Sequence, residues 1–531
     1  MTCLFERWPA PRCLGAGVAW PLRAMRAAVV VVSLGLCLAG GCGKNADPQQ
    51  AQKLRTAADS PNVVLISIDM LRPDHLHCYG YERATSPQLD QVAAEGVLFE
   101  NHISSTCWTL PAHAAMFTSL SDSVHGCTDT DRKLPDDMVT LAERFHAAGY
   151  TTAGFFSGPY LHPAFGLGQG FEHYENCTSY AAALDENAVE QWAMDSGVMH
   201  ESHHDVTSPR LFAAVKRWLD ANGGSKFFMF VHMWDPHFDF IPPAPYDKMF
   251  DPDYAGTLTG EDFFFNAQVN ADMPARDLQH LLALYDGEIA WTDLHVGKII
   301  DELRRAGLLD TTVVAITSDH GTEFFEHGAK GHRQALFDES IRAPLMIRYP
   351  ASLPAGLRVG PQTRLIDVGA TLLELAGVPV GEGEIMGHSL VPLVRTGTPG
   401  FDNLAVSELF SVGREMRSIR TLDWKFTDLM LMKGQRMDRA FYVNLRDDPG
   451  EQQLMWDFNL AAARRLVEQY RAVVDEQAAW TERIAVQAEK STIPGDVRRS
   501  LESLGYVSCE SEGDEHATIT SAPAATTQPA P

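Results

Sequence analysis

Three short stretches carry side chains able to do metal chemistry. Asp69 follows the apolar run 62–68, Asp235 and His237 stand in His232-Met233-Trp234-Asp235-Pro236-His237, and Asp319 and His320 stand in Ser318-Asp319-His320-Gly321. Carboxylate oxygen and imidazole nitrogen suit a divalent cation such as Mn²⁺, Zn²⁺, Mg²⁺ or Ca²⁺. Taken singly, each reads as a turn or a cap. Taken together, each just past an apolar run, they call for one shared site. A fourth stretch, residues 104–118, places Thr109 before Leu110 and Pro111, where a helix can begin. Helix starts favour anions through their free N–H groups and dipole. Beside a cation, a Thr hydroxyl there can act as a nucleophile on sulfur or phosphorus. The same residue also reads as a helix cap, and the sequence alone leaves both readings open.

The elements that must position these residues follow from the pattern of apolar runs. Residues 62–68, 151–156, 227–231, 312–317 and 345–347 are nearly continuous apolar stretches, the signature of strands buried on both faces. Helical segments lie between them. Ser86 and Pro87 predict a helix start with Ser as cap, stopped by Gly96. Thr140 with Glu143 predicts a capping box, and residues 284–306 carry apolar side chains at helical spacing. Strands alternating with helices give a layered α/β domain, in which ligands gather at the carboxyl ends of strands. After about residue 400 the pattern changes to short strand candidates, 422–426 and 440–445, and then a helix over 459–478. A small C-terminal subdomain over 401–508 is expected, followed by a disordered polar tail over 509–531.

The chain has 531 residues, 45% of them apolar and 21% charged, with a formal charge of −26. This composition is globular, and the acidic balance argues against nucleic acid as a partner. Arg23 and Arg26 precede an apolar run over 27–38 that leads into Ala39-Gly40-Gly41-Cys42. The run is too short for a membrane span and reads as a secretory signal. Small residues ending in Cys resemble a bacterial lipobox. Residues 1–41 are therefore expected to be a lipoprotein signal, Cys42 the lipidated residue that anchors the exported chain to a membrane, and 42–61 a tether. Cys78, Cys107, Cys127, Cys177 and Cys509 remain after the leader. No Cys-x-x-Cys pair occurs, and Cys107–Cys127 is one possible disulfide.

Ordered blocks over residues 62–507 resemble the sulfatases of the alkaline phosphatase superfamily. They cover 62–69, 235–237, 317–321, 341–345, 366–377, 387–390, 442–451 and 504–507. The resemblance implies an alkaline-phosphatase-like layered α/β sandwich with a largely parallel central sheet over 62–400, plus the small α+β subdomain. It implies a metal site of Asp69, Asp319 and His320, with the oxygen of Thr109 as a further ligand. His237, and Lys330 or His332, match positions that contact the transferred group or protonate the leaving oxygen. His320 stands where many sulfatases have Asn, which resembles the phosphonate and phosphodiester branches and shifts the expected cation from Ca²⁺ toward Mn²⁺ or Zn²⁺.

Two departures stand out. Sulfatases carry Cys-x-Pro-x-Arg, with the Cys converted to formylglycine. Here the Pro111 spacing puts Thr109 at the Cys position and His113 at the Arg position, while Cys107 lies two residues too early. The Lys of the sulfatase Gly-Lys-x-His motif is absent after residue 156, and His162 reads either as a partial substitute or, in preference, as a loop histidine without a role. The expected activity is metal-dependent hydrolysis of a sulfate or phosphate ester of a small molecule, glycan or lipid, through a covalent ester on Thr109. A headgroup transferase or phosphodiesterase on the same fold is the alternative, and a non-catalytic lipid-anchored binding protein is a third. The loops 180–206 and 238–273, which would choose the leaving group, carry no motif.

Overall fold

The computed structural model describes residues 60–178 and 207–507, apart from 402, 412, 433, 434 and 486. The expected signal, Cys42 and its lipid, nearly all of the tether, the loop 180–206, Cys509 and the tail lie outside the described residues. All described residues belong to one compact unit, 55–519.

The apolar runs form the strands of one nine-stranded sheet. Its path is Leu357–Val359, Val97–Ile103, Arg342–Arg348, Thr312–Thr317, Asn62–Ile68, Phe227–Met233, Thr151–Phe156 and His173–Asn176, with Thr363–Arg364 beside Val97–Ile103. Asn62–Ile68 is parallel to both its neighbours, and Arg342–Arg348 is antiparallel to both of its own. Side chains alternate across a strand. Val64, Ile66 and Ile68 accordingly join the core formed with Leu89, Leu211, Val215, Leu281 and Ile299. Those partners come from the helices Pro87–Glu95, Ser208–Asn222 and Ala275–Arg305. Ser67 points to the opposite face and meets His113 of the helix Thr109–Thr118. The result is the layered α/β sandwich with a largely parallel sheet.

The capping box at Thr140 and Glu143 forms as expected. The start at Pro87 is also in place, but its cap is not Ser86. The backbone N–H groups of Gln88 and Leu89 donate instead to the carboxylate of Asp293, at 2.8–3.1 Å. A carboxylate across the core serves the helix N-terminus better than a hydroxyl. The Ser86 hydroxyl accepts from the His77 N–H and donates to Asp90.

The C-terminal subdomain is a four-stranded antiparallel sheet, Ala405–Ser411, Arg414–Arg420, Trp424–Met432 and Gln435–Asn444. The helix Ala461–Ile484 covers it, with Ala463 and Leu466 against Ile419, Phe426 and Tyr442. Arg420 and Lys425 of this sheet donate to Asp338, just before the strand Arg342–Arg348. Burial pushes the Asp338 carboxyl up, but these two cations outweigh it and hold the group well below the usual range. Cys107 and Cys127 are both buried free thiols, so the possible disulfide between them is not formed.

Candidate active site

Three adjacent parallel strands end at one edge, in the register Thr317–Ser67–His232. Asp69 lies two residues past Ser67, and Asp319 two past Thr317. Both carboxylates, the His320 ring and the His232 ring are buried there. One oxygen of Asp319, Oδ1, accepts the backbone N–H of His320 at 2.9 Å and of Met70 at 3.3 Å. Its Oδ2 has no hydrogen-bond partner, nor does Asp69 Oδ1. His320 donates from Nδ1 to the Gly321 carbonyl at 2.8 Å, so in the neutral ring Nε2 carries the lone pair. That lone pair faces Asp69 Oδ1 at 3.5 Å and Asp319 Oδ2 at 3.4 Å. Three acceptors turned on one another repel unless a positive charge lies between them. Burial raises the Asp69 carboxyl to about 7, and burial with the Asp69 charge raises Asp319. Asp69, Asp319 and His320 thus fit a divalent cation by geometry and by chemistry.

Thr109 is the first residue of its helix, and the residue before it, Trp108, is the cap position. Its hydroxyl caps nothing. It lies 3.5 Å from Asp69 Oδ2, to which it donates, and 3.3 Å from His320 Nε2. The segment leading to it is pinned from two sides. Ser104 donates from Oγ to the Asp319 carbonyl at 2.5 Å. Ser407 and Glu408 of the C-terminal sheet donate to the Ser104 and Ser105 carbonyls at 2.6 and 2.7 Å.

The other expected residues divide. His113 lies beneath the first helical turn. Its Nδ1–H donates to the Thr109 carbonyl at 2.8 Å, and its Nε2 pairs with Ser67 Oγ at 3.0 Å. Burial pushes this imidazole down to about 3, so it stays neutral, with both nitrogens already used. His237 and His332 are brought together, ring centroids 5.3 Å apart, and His332 lies 4.8 Å from the His320 ring. Burial holds His332 well below the usual imidazole range.

Lys330 ties down the turns that carry Phe263 and Val269. Its ammonium donates to the carbonyls of Phe263 and Val269, both at 2.7 Å, and burial lowers it to about 8. Of the pair Lys330 or His332, His332 is the one that packs against the His320 ring. Asp235 does not converge with the other carboxylates either. It accepts from the backbone N–H and hydroxyl of both Thr207 and Ser208, capping the helix Ser208–Asn222. His162 uses Nδ1 to accept the Ala164 N–H at the start of a short helical turn.

Two residues here were not singled out from the sequence. His232 donates from Nδ1 to the Ser157 carbonyl, and its unpartnered Nε2 lies 3.6 Å from Asp69 Oδ2. His113 and Asp319 lie close beside it, with both His113 nitrogens already engaged. A histidine closing an apolar strand was the available signal. Arg333 is the other. Its guanidinium lies 4.6 Å over the Trp108 ring and donates to Ser411 Oγ at 2.6 Å.

A layered sheet that delivers two carboxylates, two histidines and a helix-start hydroxyl to one edge defines a class of strand-end ester hydrolase. Comparison with known proteins gives that class its family. The sulfatase family profile matches residues 61–378, and the profile described as N-sulphoglucosamine sulphohydrolase, C-terminal, matches 326–473. This chain belongs to the sulfatase family and is a hydrolase of sulfuric or phosphoric esters. It is 28% identical over 362 residues to an ulvan-active sulfatase of Formosa agariphila, covering 65% of this chain and 67% of that one. It is 24% identical over 418 residues to human iduronate 2-sulfatase, covering 69% and 71%. Among solved structures, it matches the phosphonate monoester hydrolase of Agrobacterium radiobacter with TM-score 0.63 and 23% identity, covering 79% and 96%. A structure solved with the substrate D-glucosamine-2-N,6-O-disulfate matches with TM-score 0.64 and 19% identity, covering 80% and 98%. These structural matches agree with the observed fold.

Proposed function

We propose that this chain is a metal-dependent hydrolase that cleaves a sulfate or phosphate-type ester through a covalent ester on Thr109. The observation that carries this reading is the Thr109 hydroxyl at a helix start, 3.3–3.5 Å from His320 Nε2 and Asp69 Oδ2. Asp69, Asp319 and His320 would hold the cation, with His232 Nε2 as a flanking donor. A bound divalent cation would acidify the Thr109 hydroxyl and offset charge on the transferred group.

The chain's own residues supply the rest. Asp69 Oδ2 accepts the hydroxyl hydrogen of Thr109. The backbone N–H groups of the first helical turn face the transferred anion. His113 holds the Thr109 carbonyl and so fixes that turn. His237 and His332 would line the leaving-group side, where the departing oxygen takes its proton from water. As Thr109 Oγ1 bonds to sulfur or phosphorus, the bond to the leaving oxygen breaks with its electron pair. Thr has a single hydroxyl, so water must then cleave the Thr ester and release the inorganic anion.

The sulfatase relatives favour a sulfated glycan as substrate. The Thr109 nucleophile and His320 favour a phosphodiester or phosphonate monoester, the class named for a structural neighbour. A hydrolysis panel of aryl sulfate, phosphate monoester, phosphodiester and phosphonate, each with Ca²⁺, Mn²⁺ and Zn²⁺, tests the reading. Metal-dependent turnover of at least one ester supports it, and turnover of none, with metal bound, contradicts it. The signal-like segment before Cys42 supports export on a lipid anchor. Mass spectrometry of the mature chain tests this, and an N-terminus beyond Cys42 without lipid contradicts it.

A further inference from the structure

A pocket of about 400 Å³ lies between the C-terminal subdomain and the main layered domain. Ile103, at the end of the strand Val97–Ile103, and Leu365 are buried in its floor. Val406 of the strand Ala405–Ser411 and one face of the helix Ala461–Ile484 wall it from the other side. On that helix Gln469, Ala472 and Glu476 follow at helical spacing and stand exposed at the mouth. Gln477, the adjacent position, turns inward and is 3% exposed. None of Asp69, Thr109, Asp319 and His320 lines this pocket.

Gln477 is the member that calls for an occupant. Its Oε1 and its Nε2 are both buried, and neither has a hydrogen-bond partner. A buried donor and acceptor left unpaired are costly, and native proteins meet such groups with protein, water or a ligand. The charged groups around it are already committed. Arg364 gives Nε and Nη2 to the Asp367 carboxylate, and Nη2 also to His388 Nδ1 at 2.7 Å. Glu408 accepts from Arg417 Nε at 2.6 Å and from the Ser123 N–H at 2.9 Å. Among the described lining residues no cation is left unpaired, and Glu476 adds a negative charge at the mouth. A sulfate or phosphate is therefore not what this pocket attracts.

A carboxamide presents one acceptor and one donor side by side. Two hydroxyls on adjacent carbons present the matching pair, one donating to Oε1 and one accepting from Nε2. The apolar walls suit the C–H face of the ring that carries those hydroxyls. A wholly apolar ligand would leave both Gln477 atoms unpaired. We propose that this pocket is a binding site for a neutral sugar unit, held through a vicinal diol on Gln477 and separate from the Thr109 site. The sugar bound there is not the group being cleaved, and the proposal stands independently of the nucleophile assignment.

Saturation-transfer NMR on the full chain tests it, with the methyl glycosides of glucose, galactose and mannose as probes. Cyclohexanol serves as a ring without adjacent hydroxyls. Wild type should bind at least one glycoside, and cyclohexanol should not displace it. Gln477→Leu keeps the bulk and removes the amide. It should weaken binding by at least about tenfold, the loss expected for two unmade hydrogen bonds. Ala472→Trp, at the exposed mouth, should block entry and abolish binding; its exposed position keeps the test decisive should Gln477→Leu fail to fold. Chelator-treated protein and Thr109→Ala should both bind the glycoside as wild type does, so failure of the hydrolase reading leaves this result readable. Binding of none of the three glycosides, displacement by cyclohexanol, or unchanged binding in either folded pocket variant overturns the proposal.

Discussion

The two sides of the site are built from different materials. The carboxylate side stands on the ends of three hydrogen-bonded parallel strands, and the backbone itself orients its groups. Asp319 Oδ1 is fixed by two N–H donors, and His320 by the adjacent Gly321 carbonyl. The histidine side has no such frame. His237 and His332 come from loops, and the Tyr506 phenol that joins them comes from the turn after the helix Gly495–Ser503. The contrast teaches where each property resides. Charge is set by the sheet, which cannot shift without breaking strand pairing, and the proposed nucleophile by the helix start beside it. The proposed leaving-group side is built from segments able to vary without disturbing the core.

The sharpest way to break this comparison is to remove a group from the sheet side. Thr109→Ala should lower turnover by about 10³-fold or more, as expected when one member of a set acting as a unit is deleted. Its Tm should change little, since the hydroxyl caps nothing. Assay and thermal melt on the same preparation check both.

Asp319→Ala comes next. It removes the carboxylate that borders His320 and His113. Metal content, measured by elemental analysis of the purified variant, should fall to background while the fold persists. Occupancy equal to wild type would take Asp319 out of the site.

A pH series separates charge from packing. Burial raises the Asp69 carboxyl from 3.8 to about 7, so the folded metal-free protein holds this proton more tightly than the unfolded chain does. Its contribution to stability is therefore full below 3.8 and is lost as the pH rises through about 7. A cation binds the deprotonated carboxylate and reverses that trend. The Tm difference between metal-loaded and chelator-treated protein should widen as the pH rises through about 7. Asp69→Asn should flatten it.

The smallest effects are expected at residues whose reactive groups are engaged or buried away from Thr109's hydrogen bonds. Lys330→Ala should change kcat/KM by less than about threefold while costing about 1–3 kcal/mol of stability, because it leaves two carbonyls without their donor. Cys107→Ser should be similarly mild in turnover. The Cys107 thiol is buried and pushed up to about 12, which keeps it protonated. A large loss in either variant would blur the boundary between the two sides.

The sheet side was largely legible in the sequence because strands buried on both faces have little choice of residue. Five apolar runs and the acids just past them located the edge. Asp235 shows the limit of that logic. A carboxylate after a strand serves equally well as a helix cap, and only the position of Thr207 and Ser208 decides. His232 was hidden for the converse reason, since a single imidazole at the end of an apolar strand reads as core. The histidine side was legible only as motif positions. Choosing between Lys330 and His332 requires the path of a loop. The contacts of Tyr506 span 174 and 269 residues, a separation at which no local pattern records a hydrogen bond.

The central claim is that Thr109, unmodified, carries the transferred group. Peptide mass spectrometry of enzyme acid-quenched during turnover tests it most directly. The account predicts the mass of one sulfuryl or phosphoryl group on the Thr109 side chain, with Cys107 present as an intact thiol. An adduct on another residue, or Cys107 recovered as formylglycine, would contradict it.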